Sequence, residues 1–434
     1  MPLYISIKSK LAWALLSLLL ADPARGGWSL EEVQQQALSH RKEIGAAEAR
    51  LKAAEQKPSV VSALEDPMLM PSIDHYPFEK AGDMEEESNG SFDWSIALEQ
   101  RFPLSRLRSH RREVAEAEVA MARSNSEKTV QEVALQAASA FFMVEEKRRM
   151  ADITQEQITL AKQWIATATS RYESGRGSSS DILRSEVELA RLVATRQALA
   201  AEVRSAEAML NASMGRSPAE PLPALLPVAF PSTLPDHSKV VATAQQQRPE
   251  LQAGSAETAR ARAETAVMRS MNAPMGLVRL GYASTMAEGD GAMVMFGVSL
   301  PIWQGRNRSS VAEAVAMEQM AEADLEAMRQ MAAGEASAAL GELEAAHIHY
   351  RMLQEEVIPR TERLLAPALA AYASGQGALT DVIESNRALR TAETEVAMAH
   401  TRLGLAWAQL HRVTGTSSLV SSTTPSPPNR ETPP

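Results

Sequence analysis

One stretch of this chain is written twice. RYESGRGSSSDILRSE (171–186) aligns without a gap with AYASGQGALTDVIESN (371–386), repeating Tyr, Ser, Gly, Gly, Asp and Ser at matching positions. The copying extends further. QALSHRKEIGAAEARLKAAE (36–55) matches TAQQQRPELQAGSAETARAR (243–262) at an offset of 207, pairing Arg41 with Arg248 and Glu43 with Glu250. By residue 98 the offset is 200, so the first half carries seven extra residues, within or near YPFEKAGDMEEESNGS, and the copies then stay in step. A chain of this kind must fold as two similar passes through one architecture.

The duplication divides the sequence. Residues 28–216 form a first structural repeat and 237–415 a second, joined by the Pro-rich link 217–236. Each repeat has the same order of patterns: a helix of roughly 35 residues, two alternating segments, a helix of nearly 70, the tight turn, and another helix of about 35. In SFDWSIALEQRF, Trp94, Ile96, Leu98 and Phe102 share one parity while Asp93, Ser95, Glu99 and Arg101 take the other, which is the period of a strand. AMVMFGVSLPI repeats this with Val294, Phe296, Val298, Leu300 and Ile302. PMLMPSIDHY and GLVRLGYAST supply their partners, giving four strands in two hairpins. After each turn a heptad seam follows: Val382, Leu389, Val396, Leu403 and Leu410, with Ser385, Ala392, Ala399 and Ala406 beside it. The first-half seam is Ile182, Leu189, Arg196, Val203 and Leu210, interrupted by Arg196 and flanked by Ser185, Leu192, Leu199 and Ala206. These seams suit close antiparallel helices.

The two ends differ from the body. Residues 1–27 have the form of an export signal, with Lys8 and Lys10 before the apolar run LAWALLSLLL and small residues near Gly26. That run is too short to span a bilayer, which takes about 20 residues. The tail 416–434 is Pro, Ser and Thr with little to bury, and is predicted to be disordered. With no cysteine there is neither a disulfide framework nor a lipid-attachment cysteine after the signal. A formal charge of −10, with basic residues interleaved among acids, gives no basis for a nucleic-acid partner.

Lengths constrain the geometry. A helix of nearly 70 residues extends about 100 Å, and each 35-residue helix spans about half of it. Two short helices stacked beside one long one predict an elongated, mainly α protomer of antiparallel coiled-coil helices, with a small β part at one end and the tight turn at the other. Four strands leave two open edges and cannot close a barrel alone. Closed membrane barrels have at least about eight strands of about nine to eleven residues each. Oligomerisation follows from the pattern, and its number does not.

The duplicated plan, the strand-to-helix passages EQRFPLSRLRSHRREVAEAE and VSLPIWQGRNRSSVAEA, and the paired YxSGxGxxxD turns resemble the TolC-like outer-membrane efflux channels across residues 28–415. LEDPMLMPSIDHYP with QRFPLSRLRSHRREVAEAE is most similar to the branch serving heavy-metal cation efflux. The resemblance implies a homotrimer whose strands form one twelve-stranded outer-membrane barrel, four from each chain, in contact with lipid. It also implies a helical tunnel crossing the periplasm toward a periplasmic adaptor protein and an inner-membrane pump of the RND type. The chain would be a passive duct for heavy-metal cations. A duct for drugs or type I protein secretion shares the same plan. A periplasmic coiled-coil scaffold without a pore would have no use for the period-two strands.

The resemblance places the turns Gly175, Gly177, Gly375 and Gly377 at the periplasmic tip. It places Tyr172, Asp181, Tyr372, Asp381 and Glu384 at a closed constriction, where acids in a trimer would form a cation-favouring ring. The chain departs from the family pattern at Gly377, where a basic residue follows the second-half turn. Asp181 and Asp381 also have a purely structural reading as helix caps, Asp381 with Glu384 having the spacing of a capping box. Gly175 and Gly375 are expected to end the long helices in the left-handed conformation, and Pro359 and Pro367 to bend or interrupt the second. Met68, Met70, Met268, Met271, Met275, Met293 and Met295 gather near the strands. Thioethers suit soft Cu(I), and they equally fill gaps in apolar surfaces. His347 and His349 point in different directions on a helix. No Glu-x-x-His, HExxH, Walker A, GxGxxG or GxSxG signature occurs, so nothing in the sequence argues for an enzyme, a cofactor or a metal centre.

Overall fold

The computed structural model describes residues 26–74, 93–285 and 289–416. The export signal before Gly26, the acidic loop GDMEEESNG and the tail beyond Thr416 lie outside the described residues.

The first half contains β1 (Gly27–Trp28), α1 (Leu30–His40), α2 (Lys42–Val61), β2 (Met68–Asp74), β3 (Asp93–Pro103), α3 (Leu107–Glu173) and α4 (Ser179–Ser213). After β4 (Ala224–Leu225) come α5 (His237–Gln247), α6 (Pro249–Ser270), β5 (Met275–Thr285), β6 (Gly289–Ser299) and α7 (Gln304–Met352). A π turn (Leu353–Val357), α8 (Ile358–Ser374) and α9 (Leu379–Thr414) complete it. The fold is mainly α with a small β part, as the periodicity predicts.

Two expected helices are each divided. Arg41 separates α1 from α2 in an extended conformation (φ −67°, ψ 130°), and Arg248 separates α5 from α6 in the same way (φ −64°, ψ 123°). At the second break Pro249 forces the preceding residue out of the α region and suits the first helical position. No proline follows Arg41. There the guanidinium forks onto Glu43 (3.1 and 2.5 Å) and reaches Gln136 Oε1 (2.8 Å), and Arg248 repeats the fork's first contact with Glu250 (3.2 Å). The second long helix is also interrupted, and the interruption precedes Pro359. Proline lacks an N–H and its ring crowds the carbonyl four residues earlier; the i→i+5 turn at Leu353–Val357 falls across that carbonyl. Pro367 is accommodated inside α8 without a break.

Contacts divide the chain into two compact units that do not follow the halves: 1–44 with 130–244 and 334–434, and 45–129 with 245–333. In the second unit the antiparallel sheet has the order β2-β3-β5-β6. Leu98 pairs with Leu69 and Leu280, and Leu280 with Val294. These four are 48, 64, 52 and 58% exposed, and Ile73, Trp94, Ile96, Tyr282, Phe296 and Val298 extend the same apolar faces of their strands, also exposed. The opposite face carries Glu99, 2% exposed, held by Arg101 (2.9 Å) and Arg279 (3.0 and 2.5 Å). Of the methionines near the strands, Met68 and Met70 lie on β2 and Met293 and Met295 on β6, with β3 and β5 between them, roughly 14 Å across three strand spacings. In the same unit α6 packs on α7, with Gly254 against Leu325 and Met328. Thr258 donates to the Ala321 carbonyl (3.3 Å), and Arg262 reaches Glu318 (3.2 Å) and Glu322 (2.9 Å).

The first unit holds three apolar clusters. One centres on Phe141, Phe142 and Leu210, with Leu222, Leu225, Val228 and Phe230 of the Pro-rich link packed onto it. Arg148 ties that link down, donating to the Pro223 carbonyl (2.9 Å) and to Glu207 (2.7 Å). A second joins α7 and α9 through Leu340, Leu343, Leu403, Trp407 and Leu410. The third lies beside the tight turns. In α9 the seam residues Val382, Leu403 and Leu410 are buried as expected. In α4 the flank carries the buried line instead: Ser185, Leu192, Leu199 and Ala206 are buried while Arg196 is half-buried. Arg196 is covered along part of its length, with its Nε buried, and the seam's own Leu210 is buried at the helix end.

Candidate functional site

The repeated turns meet within the first unit. α3 and α8 both end at a left-handed glycine, Gly175 (φ 71°) and Gly375 (φ 84°), where amides fold back onto the last carbonyls: Arg176 N to Arg171 O (2.8 Å) and Gln376 N to Ala371 O (2.9 Å). The second glycine of each turn is required sterically. A Cβ at Gly177 would stand 2.9 Å from Tyr172 N, and one at Gly377 2.9 Å from the Ala371 Cβ. This turn therefore has no room for the basic side chain that the family pattern places at 377.

Asp181 and Asp381 do not cap their helices. The caps are Ser178, whose Oγ accepts from Ser180 N (3.1 Å), and Ala378, which has no side chain able to accept. Each aspartate is the third helical residue, and its own amide bonds the cap carbonyl (3.1 and 3.2 Å). The proposed box of Asp381 with Glu384 fails for the same reason. The carboxylates keep a favourable place at the helix N-terminus while their oxygens stay free of a capping duty. Asp181 is half-buried, and Asp381 and Glu384 are exposed.

The two tyrosines occupy different surroundings. Tyr172 is 52% exposed; Tyr372 is 4% exposed, packed with Ile158, Trp164, Leu192, Leu379 and Val382. The Arg171 guanidinium lies over the Tyr372 ring at 4.4 Å, donates to the Tyr372 carbonyl, and donates to the Arg176 carbonyl (3.3 Å). One arginine thus fastens the first turn to the second, combining a cation–π contact with backbone bonds. Burial pushes the Tyr372 phenol up, the Asp181 charge adds to the rise, and Arg171 opposes it. The Tyr372 hydroxyl is buried with no hydrogen-bond partner. Tyr372→Phe is accordingly expected to leave the melting temperature unchanged or raise it, because a buried hydroxyl without a partner costs about 1–3 kcal/mol; thermal denaturation followed by circular dichroism checks this.

A second cross-link lies one turn further on. Arg387 bonds Glu384 (2.9 Å) on its own helix and Glu188 (2.6 Å) on α4, and Asn386 donates to Gln157 between buried side chains. A cleft of about 430 Å³ opens beside them, lined by Leu183, Arg184, Glu188, Arg191, Glu384 and Arg387. Of the predicted acids, Glu384 is thus paired with an arginine in this cleft. Arg171, Glu188 and Arg387 were not singled out by sequence reasoning. At offset 200 they stand against Ala371, Ala388 and Val187, so the repeat carried no signal for them. Among the described residues no group of three or more His, Cys, Asp or Glu is placed to hold a metal ion, and no helix is long and apolar enough to cross a membrane.

The model of the outer membrane efflux protein family matches residues 33–216 and 240–416. The chain belongs to this outer-membrane family. The outer membrane efflux protein BepC of Brucella suis biovar 1 (strain 1330) is 25% identical over 222 residues, covering 49% of this chain and 47% of BepC. The match thus spans about half the length of that relative. Among solved structures, the outer-membrane channel OprN superposes with a TM-score of 0.74 at 18% identity, covering 89% of each chain. CusC gives 0.74 at 15% identity over 89% of this chain and 92% of its own. The Campylobacter jejuni CmeC outer membrane channel gives 0.74 at 13% identity over 89% and 85%. The fold is that of the TolC-like α-barrel channels, a family of channel proteins.

Proposed function

We propose that three copies of this chain close one twelve-stranded barrel, four strands from each, and form a passive duct of a tripartite efflux system. A periplasmic adaptor and an inner-membrane pump of the RND type would deliver heavy-metal cations to it for release outside the cell. The observation that carries this reading is the sheet, with one exposed apolar face across four strands and outer strands β2 and β6 that have no partner on their far sides among the described residues. Such a face suits lipid, and such edges suit pairing with further strands. The charged face with Glu99, Arg101 and Arg279 suits a water-filled lumen. Asp181 and Asp381 are the acids we assign to the constriction, with Tyr172, Tyr372 and Glu384 beside them and the glycine turns at the tip. The cation preference rests on those acids and on the likeness of the segments around the first hairpin to the heavy-metal branch.

Phe296→Arg places a charge on the lipid face, at a cost of about 2–4 kcal/mol near the bilayer midplane. It should cut recovery of the oligomer from outer membranes several-fold, whereas Met295→Gln on the opposite face should not. Equal recovery of the two variants rejects the barrel assignment. A deletion strain should gain sensitivity to divalent metal salts, restored by the wild-type gene; sensitivity to dyes and detergents alone would instead assign the duct to drugs.

A further inference from the structure

Where the strands hand over to the long helices, the chain writes one charged motif twice. Arg106-Leu107-Arg108 and Arg306-Asn307-Arg308 stand at the same offset of 200, and the two triplets are held alike. The middle residue of each is buried, Leu107 at 4% and Asn307 at 8% exposure, and the arginines on either side are exposed. Arg108 donates to the Ser62 carbonyl (2.7 Å). The side chains of Arg106, Arg306 and Arg308 have no hydrogen bond or ion pair among the described residues.

Local stability does not account for these charges. Arg106 directly precedes α3 and Arg108 is its second residue, while Arg306 and Arg308 lie in the first turns of α7. Neither helix has an acid in its first turn, and the positive end of a helix disfavours cations. The chain as a whole carries −10, yet residues 100–112 hold five arginines and no acid, and residues 291–312 hold two arginines and no acid. Glu65 and Asp66 precede β2, and no ion pair among the described residues joins them to the triplets.

Apolar side chains adjoin the triplets on the strand side. Leu104 is 56% exposed, and Ile302 and Trp303 are 67 and 66% exposed. A short turn presents the second group: Gln304 N donates to the Ile302 carbonyl (2.9 Å) and Gln304 Nε2 to the Pro301 carbonyl (3.0 Å). At the far end of the sheet Trp94 and Tyr282 stand together, ring centroids 5.7 Å apart. The path from Trp94 to Leu104 covers about 34 Å along a strand. A barrel tilt of about 35–45° reduces this to about 25 Å along the axis, the height of an outer-membrane apolar band. Arg106 and Arg306 follow within one helical turn of that band's edge.

We propose that Arg106, Arg108, Arg306 and Arg308 form a collar that binds the phosphates of anionic phospholipids in the leaflet facing the helices, with Leu104, Ile302 and Trp303 seated among the adjoining acyl chains. This rests on the barrel reading, in which three copies set six such pairs around the sheet. Guanidinium forks match phosphate oxygens, and an aromatic ring beside them suits the bilayer interface. Lipid is the ligand, and not a free anion, because a small hydrated anion would leave the neighbouring apolar side chains in water.

Native mass spectrometry of the oligomer extracted from outer membranes counts the bound phospholipid. In neutral detergent, phosphatidylglycerol should be retained over phosphatidylcholine of the same acyl chains, and the preference should fall as sodium chloride is raised. Changing all four arginines to glutamine should weaken phosphatidylglycerol binding about twentyfold, at roughly fivefold for each of the two guanidiniums meeting one headgroup. Arg123→Gln, about 24 Å along α3 from Leu107, should leave binding unchanged. If the four-site variant does not assemble, the pair Arg106→Gln and Arg108→Gln and the pair Arg306→Gln and Arg308→Gln are made separately, and each should lose half of the tightly held lipid. The proposal is overturned by equal retention of the two lipids in the wild type or by variants that keep the preference. It is also overturned if millimolar inorganic phosphate at constant ionic strength displaces phosphatidylglycerol, which assigns the pairs to a free anion. An outer-membrane oligomer without lipid preference sinks the collar and leaves the barrel standing, whereas a chain recovered without detergent removes the barrel reading and the collar with it.

Discussion

Phe142→Ala should remove about 3–5 kcal/mol of stability, among the largest losses available to one substitution in this chain. Phe142 is 1% exposed, edge-on to Phe141 with centroids at 5.6 Å and tilted on Phe230 at 6.0 Å. It unites α3, the Pro-rich link and α9, whose Thr401 donates to its carbonyl (3.3 Å). The ring fits because residue 404 is glycine: a Cβ there would stand 2.4 Å from the Phe142 Cζ. Gly404→Ala should therefore cost about 1–3 kcal/mol by overpacking. In the Phe142→Ala background the same substitution should become harmless or stabilising, since its methyl would enter the vacated space. Urea denaturation of the two single variants and the double variant measures this coupling. Additive losses would show that the notch at 404 and the ring do not depend on one another.

Replacing both Asp181 and Asp381 by alanine should raise single-channel conductance in planar bilayers and reduce preference for cations. This rests on assigning the paired turns to the constriction. The geometry makes the result readable, because neither aspartate is its helix's cap. Their loss should cost only the interaction with the helix N-terminus, about 0.3–1 kcal/mol each. Ser178→Ala is the complementary control. It removes the side-chain bond to Ser180 N, should cost about 0.5–2 kcal/mol, and should leave conductance unchanged. Conductance that stays at the wild-type value in the double aspartate variant would confine both residues to a local structural role.

Much of the fold was legible where a residue pattern has one physical outcome. Alternation in SFDWSIALEQRF and AMVMFGVSLPI can satisfy water on one side and an apolar medium on the other only as strands; β3 runs from Asp93 through the first, and β6 covers the second only to Ser299, leaving Leu300 and Ile302 beyond its end before Pro301 can interrupt the ladder. Glycine at 175 and 375 announces a left-handed helix end because other residues are strained there, and both have positive φ. The break at Arg41 was not legible, because no proline marks it and its support includes Gln136, far away in sequence. A bend or interruption was expected at Pro359 and Pro367; the interruption is a π turn ahead of Pro359, since proline's clash acts on a carbonyl upstream of it, and Pro367 makes none. The aspartates were misplaced by one turn of helix. Asp is a strong cap by composition, yet Ser178 and Ala378 begin the helices because the glycine-bounded turn is too short to delay them. Of the candidate site, the glycines and acids were visible in the repeat. The fastening by Arg171 and Arg387 was not, since it joins positions that do not correspond between the copies.

The π turn has one more consequence. From residue 98 onward the two copies keep a constant offset of 200, so no inserted residue accounts for it. α3 runs unbroken to Glu173, while the corresponding path in the second copy passes through a wider turn that gains less rotation per residue. Every side chain beyond Val357 thus emerges on a different azimuth from its twin. Tyr172 and Tyr372 have the same rank in a doubled text, but one faces outward and the other is sealed beneath an arginine. With no residue added or removed between the copies, the same residue thus has two different surroundings.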